Sequence, residues 1–93
     1  MIRDFIWDLG KEAVNIRKHR IDFSLAAQAF DDPHRRIVLD HKHSMDEQRM
    51  FCVGLARGKV MTVRFVYRRD KVRILGAGYW RKGAKLYAQK KSI

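Results

Sequence analysis

The sequence predicts an α+β fold, in which N-terminal helices pack on an antiparallel meander of about four strands and a further helix follows the sheet. Apolar residues recur with helical spacing before Pro33 and with strand-like spacing after it. Short turn signals separate the strands, which favours hairpins over crossover connections. The 93 residues contain no linker or repeat, so we expect one domain over residues 1–93.

The N-terminal segment is expected to hold a short strand or an extended arm, over residues 2–7, and then a helix. Asp8 is a good N-cap for this helix, which runs to about residue 19. Its apolar face is formed at helical spacing by Leu9, Ala13 and Ile16. The opposite, polar face carries Lys11, Asn15 and Lys18.

A second helix can begin after Asp22, which is again a suitable N-cap. It is expected to end at residues 31–33, because the residue before a proline is disfavoured in helical conformation. The residues that it buries are Leu25, Ala26, Ala29 and Phe30.

Four strands are expected after the proline, over residues 37–40, 49–55, 59–68 and 71–77. A polar connection, residues 41–48, joins the first two. The turns of the two following hairpins are Arg57-Gly58 and Arg69-Asp70. The chain should then form an amphipathic basic helix from about Trp80 to Lys91, with Arg81, Lys82 and Lys85 among its exposed residues.

Positive charge is concentrated in the C-terminal half of the chain. Residues 49–93 hold 13 basic residues and one acidic residue, a formal charge of +12. Residues 1–48 hold 8 basic and 9 acidic residues, a formal charge of −1. This asymmetry favours a polyanionic partner, with nucleic-acid phosphates first, an acidic protein second and membrane headgroups a weaker third.

Composition argues against several other classes of protein. Cys52 is the only cysteine, which rules out an internal disulfide and a cysteine zinc cluster and suggests a small core residue in a reducing compartment. The sequence shows neither a membrane-spanning stretch nor a signal-peptide core, so a bacterial cytoplasmic location without membrane contact is expected. His41 and His43 with Asp40 or Asp46 fit no zinc template, and no metal or cofactor is expected.

The predicted hairpin of residues 59–77 brings basic side chains together. Around its turn, Arg68 should face Lys71, Val66 should face Arg73 and Arg64 should face Leu75. One face then carries Arg64, Arg68, Lys71 and Arg73. The other, apolar face should pack on the N-terminal helices with Met61, Val63, Phe65, Tyr67, Val72 and Ile74. Because like charges repel and no carboxylate is expected nearby, a phosphate site explains the arrangement better than a solvated face does.

The connection before the second expected strand holds a second group of chemical residues: His41, His43, Asp46, Glu47 and Arg49. RNA cleavage without a metal needs a base for the ribose 2′-hydroxyl, cations for the phosphorane and an acid for the leaving oxygen. The connection supplies candidate bases and acids, and the sheet face supplies cations. A polar loop surface explains the histidines equally well.

Three blocks in order make the chain resemble the BrnT family, the toxins of BrnT/BrnA type II toxin–antitoxin systems. The first block is Trp7-Asp8-x-x-Lys11-x-x-x-Asn15-x-x-Lys18-His19-x-Ile21-x-Phe23, continuing to Asp32-Pro33. The central block is Glu47-x-Arg49 followed by Gly54. The last is Val72-Arg73-Ile74-Leu75 with Ala77 and Tyr87. The chain departs from the family at Gly76-Ala77-Gly78, where Ser-Ala-Arg is common.

The resemblance implies a RelE-like ribonuclease fold and RNA cleavage that blocks translation. It also implies neutralisation by a BrnA-like antitoxin, whose ribbon-helix-helix domain would contact operator DNA, so that this chain meets the DNA only indirectly. Arg81 is the candidate to replace the arginine that the family commonly has at position 78.

We therefore expect a metal-independent endoribonuclease. Arg64 and Arg73 would hold the scissile phosphate, and Arg81 or Lys82 would lie near the leaving group. The candidate bases are Glu47, His43 and His41. Further RNA contacts are expected from Arg49, Arg68, Lys71, Lys82 and Lys85. The alternative is a non-catalytic basic module that docks nucleic acid or an acidic protein.

Overall fold

The computed structural model describes residues 4–89, which form a five-stranded sheet with helices on both faces. The strands are β1 (Asp4–Trp7), β2 (Arg36–Leu39), β3 (Met50–Ala56), β4 (Lys59–Arg68) and β5 (Lys71–Gly78). The helices are α1 (Leu9–His19), α2 (Phe23–Ala27) and α3 (Arg81–Ala88). Two short 3₁₀ helices span Gln28–Asp31 and His41–His43.

Strands β2 to β5 form the expected antiparallel meander. The expected extended segment is a fifth strand, β1, which pairs in parallel with β5, so the sheet is mixed and has the order β1-β5-β4-β3-β2. Residues 2 and 3, the start of the expected N-terminal segment, lie outside the described residues. The same is true of residues 90 and 91, the end of the expected last helix.

The two predicted hairpin turns are formed by residues with left-handed backbone conformations. Arg57 has φ 51° and Gly58 has φ 76°, the pair of positive angles that a type I′ turn needs. Arg69, in the turn between β4 and β5, has φ 61°. Both turns join neighbouring antiparallel strands and thereby set the register of the meander.

The core lies between one face of the sheet and the segment formed by α2 and the 3₁₀ helix that follows it. Its helical side is built from Ile21, Phe23, Ala26, Ala29 and Phe30, and its sheet side includes Cys52, Met61, Val63, Phe65, Val72 and Ile74. Gly54 permits this packing, because a Cβ at that position would collide with the carbonyl oxygen of Ala29. Tyr67, expected on the apolar face, is half exposed.

The face of helix α1 that packs on the sheet is not the apolar face predicted from the sequence but the opposite, polar one. Leu9 and Ile16 are 76% and 42% exposed, whereas Asn15 is buried. The Asn15 amide accepts a hydrogen bond from the Ala77 backbone N–H and donates one to the carbonyl of Ile21, both at 3.0 Å. Because β1 pairs with β5 only as far as Ile74, the amide satisfies a backbone group that β1 leaves unpaired.

Helix α3 lies on the other face of the sheet. Gly83 sits so close to Thr62 that a Cβ would collide with the threonine hydroxyl. The Tyr87 hydroxyl donates a hydrogen bond to the buried carboxylate of Asp32, and Arg36 donates to the carbonyls at the end of the helix. Asp32 also accepts hydrogen bonds from the backbone N–H groups of Leu55 and His34, both at 2.8 Å.

The Asp32–Tyr87 hydrogen bond gives the fold a defined pH dependence. Burial raises the pKa of Asp32, but the hydrogen bonds from Tyr87, Leu55 and His34 together lower it by more, so that the net shift is downward. The Asp32 contribution to stability is therefore complete above the unfolded pKa and is lost as pH falls through the folded pKa. The hydrogen bond to Asp32 raises the pKa of Tyr87, whose contribution is lost as pH rises through the folded value.

We expect Tyr87→Phe to lower the melting temperature by several degrees at neutral pH. The melting temperature of the variant should also fall less steeply than that of the wild type when the pH is made acidic or alkaline. The substitution removes only the hydroxyl that holds α3 to Asp32. Circular dichroism melts across the pH range measure both effects. Tyr67→Phe is the matched control, and an equal loss of stability in that variant would contradict the assignment.

Candidate functional site

The position of Arg64 depends on a bulge in β5. Arg68 faces Lys71 and Val66 faces Arg73, as predicted, but the register shifts beyond Phe65. Arg64 therefore faces Gly76, and the prediction that it faces Leu75 is wrong. The guanidinium lies over Gly76, where a Cβ would collide with it. Glycine at this position thus leaves the space that the Arg64 side chain occupies.

Two open clefts meet at Arg64. The first has a volume of about 520 Å³ and lies between α1 and the sheet; its charged or titratable lining residues are Asp8, Lys11, Lys18, His19 and Arg64. The second has a volume of about 650 Å³ and lies between α3 and the sheet. Arg64 is common to both, so we call the two together the Arg64 groove.

The Arg64 guanidinium is exposed and, within residues 4–89, makes no ion pair or hydrogen bond. Its neighbours on the basic face have acidic partners. Arg68 forms a two-pronged ion pair with Glu47 at 2.8 and 3.0 Å, and the Lys71 ammonium lies 3.9 Å from Asp4. The expectation that no carboxylate lies near this face is therefore wrong.

Arg73 also has an acidic neighbour, the N-cap carboxylate of α1. The pKa of Asp8 is lowered, mainly by the backbone N–H groups of Lys11 and Gly10 and further by the positive charge of Arg73. The Asp8 side chain accepts a hydrogen bond from the Lys11 N–H at 3.0 Å. Within residues 4–89, Arg68 and Lys71 of this face thus have ion-pair partners, whereas Arg64 shares the first cleft with Asp8 but forms no ion pair.

The connection between β2 and β3 lies beside the C-terminal end of β4, next to the second cleft, which Val38 and Phe51 on either side of the connection help to line. Glu47 contacts Arg68, four residues beyond Arg64, or about 13 Å along an extended strand. His43 Nδ1 lies 2.9 Å from the buried carboxylate of Asp40. His41 and Arg49 are exposed. None of the candidate bases in this connection lines either cleft.

Helix α3 brings two of its predicted residues to the groove. Lys82 and Lys85 line the second cleft, whereas Arg81 is exposed in the first turn and lines neither cleft. Trp80, just before the helix, also lines the second cleft. Its indole packs on Gly78, where a Cβ would lie 2.6 Å from the ring.

Sequence reasoning did not assign His19, Lys18, Lys11 or Trp80 to the site. His19 meets Trp80 edge to face, with ring centroids 5.4 Å apart, and so joins the α1 and α3 sides of the groove. The repeat of Lys11, Asn15 and Lys18 at helical spacing is visible in the sequence. What sequence lacks is the information that this polar face turns toward the sheet.

Two other kinds of site are absent from the part of the chain that the structure describes. Residues 4–89 contain no group of three or more His, Cys, Asp or Glu side chains placed to hold a metal ion. No helix within this range is long and apolar enough to span a bilayer.

An α+β protein with an unpaired arginine in a basic groove presents a surface suited to the phosphates of RNA. Residues 7–83 match the model of the ribonuclease toxins, BrnT, of type II toxin–antitoxin systems, and the chain belongs to this family. The resemblance read from the sequence is thereby confirmed. For a toxin of this class, RNA is the substrate and an antitoxin protein is the partner. A search of curated proteins gave no match to the chain.

Proposed function

We propose that this protein is a metal-independent endoribonuclease toxin that cuts RNA in the Arg64 groove and thereby blocks translation. The observation that carries the proposal is the unpaired, exposed Arg64 guanidinium where the two clefts meet. A guanidinium offers a planar fork of donors that matches phosphate oxygens. Arg64 can bind a phosphate without breaking an ion pair, whereas Arg68 and Lys71 on the same sheet face are paired with Glu47 and Asp4.

The cleft beside α1 supplies groups for the chemistry. The ribose 2′-oxygen attacks the phosphorus, the bond from phosphorus to the 5′-oxygen breaks, and a 2′,3′-cyclic phosphate forms. Arg64 stabilises the charge that develops on the phosphoryl oxygens, and Lys11 and Lys18 add to the local positive potential. His19, which lines the same cleft, takes the 2′-hydroxyl proton or delivers a proton to the leaving 5′-oxygen.

The residues proposed from the sequence keep distinct roles. Lys82 and Lys85 bind RNA from the α3 side of the groove. Arg73 and Lys71 extend the basic face beyond Arg64, and Arg68 joins them once RNA displaces Glu47. Glu47, His43 and His41 are alternatives to His19 as proton carrier, and Arg49 and Arg81 are exposed cations for flanking phosphates.

The proposed partner is a BrnA-like antitoxin with a ribbon-helix-helix domain, through which operator DNA is reached. Acidic side chains of such a partner would cover the basic groove and exclude RNA. Electrostatic attraction of this kind acts mainly on the association rate, which should fall from low to physiological salt more than the dissociation rate changes.

We expect RNA cleavage by the purified protein to persist in EDTA and to leave a 2′,3′-cyclic phosphate or a 3′-phosphate. Attack by the 2′-hydroxyl requires no metal and leaves the phosphate on the 3′ side. End-group analysis of the fragments measures this directly. A 3′-hydroxyl product, or EDTA inhibition reversed by a divalent ion, would indicate a metal nuclease. Bound but uncut RNA would favour the non-catalytic binding module.

A further inference from the structure

The second cleft differs in character from the first. Its walls are largely apolar and include Phe51, Val53, Trp80 and Leu86. Its volume of about 650 Å³ lies within the range of roughly 300–1,000 Å³ that is usual for small-molecule sites. Binding of a phosphate alone depends on charge and hydrogen bonds and does not require apolar walls.

The cations of this cleft are Arg64, Lys82 and Lys85, one from the sheet and two from α3. No acidic side chain lines the cleft among the described residues. Apolar, aromatic walls together with these cations match a nucleotide, whose flat base is apolar on its faces and whose phosphate is anionic. Single-stranded RNA is commonly bound in this way, with bases stacked on aromatic side chains.

Trp80 is held in place for such a role. Its indole packs on Gly78 and contacts His19, yet 37% of the residue stays exposed. Glycine at position 78 is thus what admits the indole to this side of the groove.

We propose that the cleft between α3 and the sheet is a nucleobase subsite, which takes one unpaired base of single-stranded RNA against Trp80 and Phe51. This inference rests on the proposed function, because Arg64 then holds the phosphate next to the inserted base. A base within a duplex is stacked and paired and cannot enter, so the subsite selects single-stranded RNA.

The test is a binding measurement that separates the base from the phosphates. The probe is a short single-stranded RNA with 2′-O-methyl groups, which lacks the attacking hydroxyl, and its affinity is measured by fluorescence anisotropy. A second set of strands carries one abasic residue, moved along the strand. For the wild-type protein, one abasic position should weaken binding by about tenfold, the effect of losing one stacked base.

Trp80→Ala should weaken binding of the intact strand by about tenfold and abolish the penalty of the abasic position. Phe51→Leu keeps an apolar side chain but removes the aromatic ring, and position 51 does not line the cleft that contains His19. This variant should reduce the same abasic penalty. Tyr79→Ala is the matched control, because Tyr79 is exposed, lies next to Trp80 in the chain and lines neither cleft. It should leave the penalty unchanged.

An abasic penalty that persists in both Trp80→Ala and Phe51→Leu, with folding verified by circular dichroism, would overturn the subsite. Unchanged RNA affinity together with loss of antitoxin binding would also overturn it, and would assign the cleft to the antitoxin. The proposed function fails separately, if a protein with base-dependent binding cuts no RNA. If cleavage requires Arg64 but RNA binding does not depend on any base, the nucleobase subsite is overturned and the proposed function stands.

Discussion

Arg64→Ala is expected to reduce RNA cleavage by at least about 10²–10³-fold, the usual cost of removing a group that stabilises the charge developing in the transition state. The same variant should abolish growth arrest when it is expressed without an antitoxin. The loss follows from the position of the guanidinium, which projects from the sheet over Gly76 into both clefts. Stability should change little, because the side chain is exposed and has no partner to lose within residues 4–89.

Two further variants make the Arg64 experiment decisive. Arg17→Ala removes the same charge from an exposed position on α1 that lines neither cleft, and it should retain full activity. Arg64→Lys keeps the charge but loses the two-pronged geometry, so it should recover only part of the rate. Near wild-type cleavage by a folded Arg64→Ala protein would place the scissile phosphate elsewhere on the basic surface.

Local sequence signals predict most of the sheet. The boundaries of β4 match the expected residues 59–68, and the pairing of Arg68 with Lys71 follows from the turn between them. These features depend on residues close together in the chain, where turn chemistry and alternation decide the outcome. The N-caps Asp8 and Asp22 were predicted for the same reason, and both side chains accept the expected backbone hydrogen bonds.

Features that depend on distant residues were not predictable from local pattern. The side of α1 that faces the sheet is decided by the unpaired N–H of Ala77, 62 residues from Asn15, which outweighs the apolar spacing of Leu9 and Ile16. The Glu47–Arg68 pair joins residues 21 positions apart. The bulge at Leu75 changes which residue lies under Arg64. Leu75 is not a turn or strand-breaking residue, so the bulge could not be predicted from its identity.

The same long-range contacts explain why the sequence indicates only some of the residues that line the Arg64 groove. The exposed face on which Arg64 lies could be predicted because alternation along a strand is a local property. His19 and Trp80 meet across 61 positions of the chain, because α1 packs on β5 and α3 packs on β3 and β4. Their contact depends on the placement of both helices, which no local signal in the sequence determines.

His19→Phe is expected to slow RNA cleavage by about 10²–10⁴-fold, the range typical for loss of a general acid or base. Phenylalanine keeps an aromatic ring against Trp80 but cannot carry a proton, so it separates chemistry from packing. Single-turnover cleavage measures the loss, while anisotropy with the 2′-O-methyl strand should show RNA affinity within a few-fold of wild type.

The competing proton carriers provide the comparison that decides this assignment. His41→Ala, His43→Ala and Glu47→Gln remove the candidates of the connection between β2 and β3, which lines neither cleft. If His19 carries the proton, these three variants should keep most of the activity, and free imidazole should partly restore a His19→Ala protein. A large loss in one of the three, with His19→Phe still active, would move the chemistry to the Glu47–Arg68 end of β4. RNA binding that opened this ion pair would then be the step that frees the base.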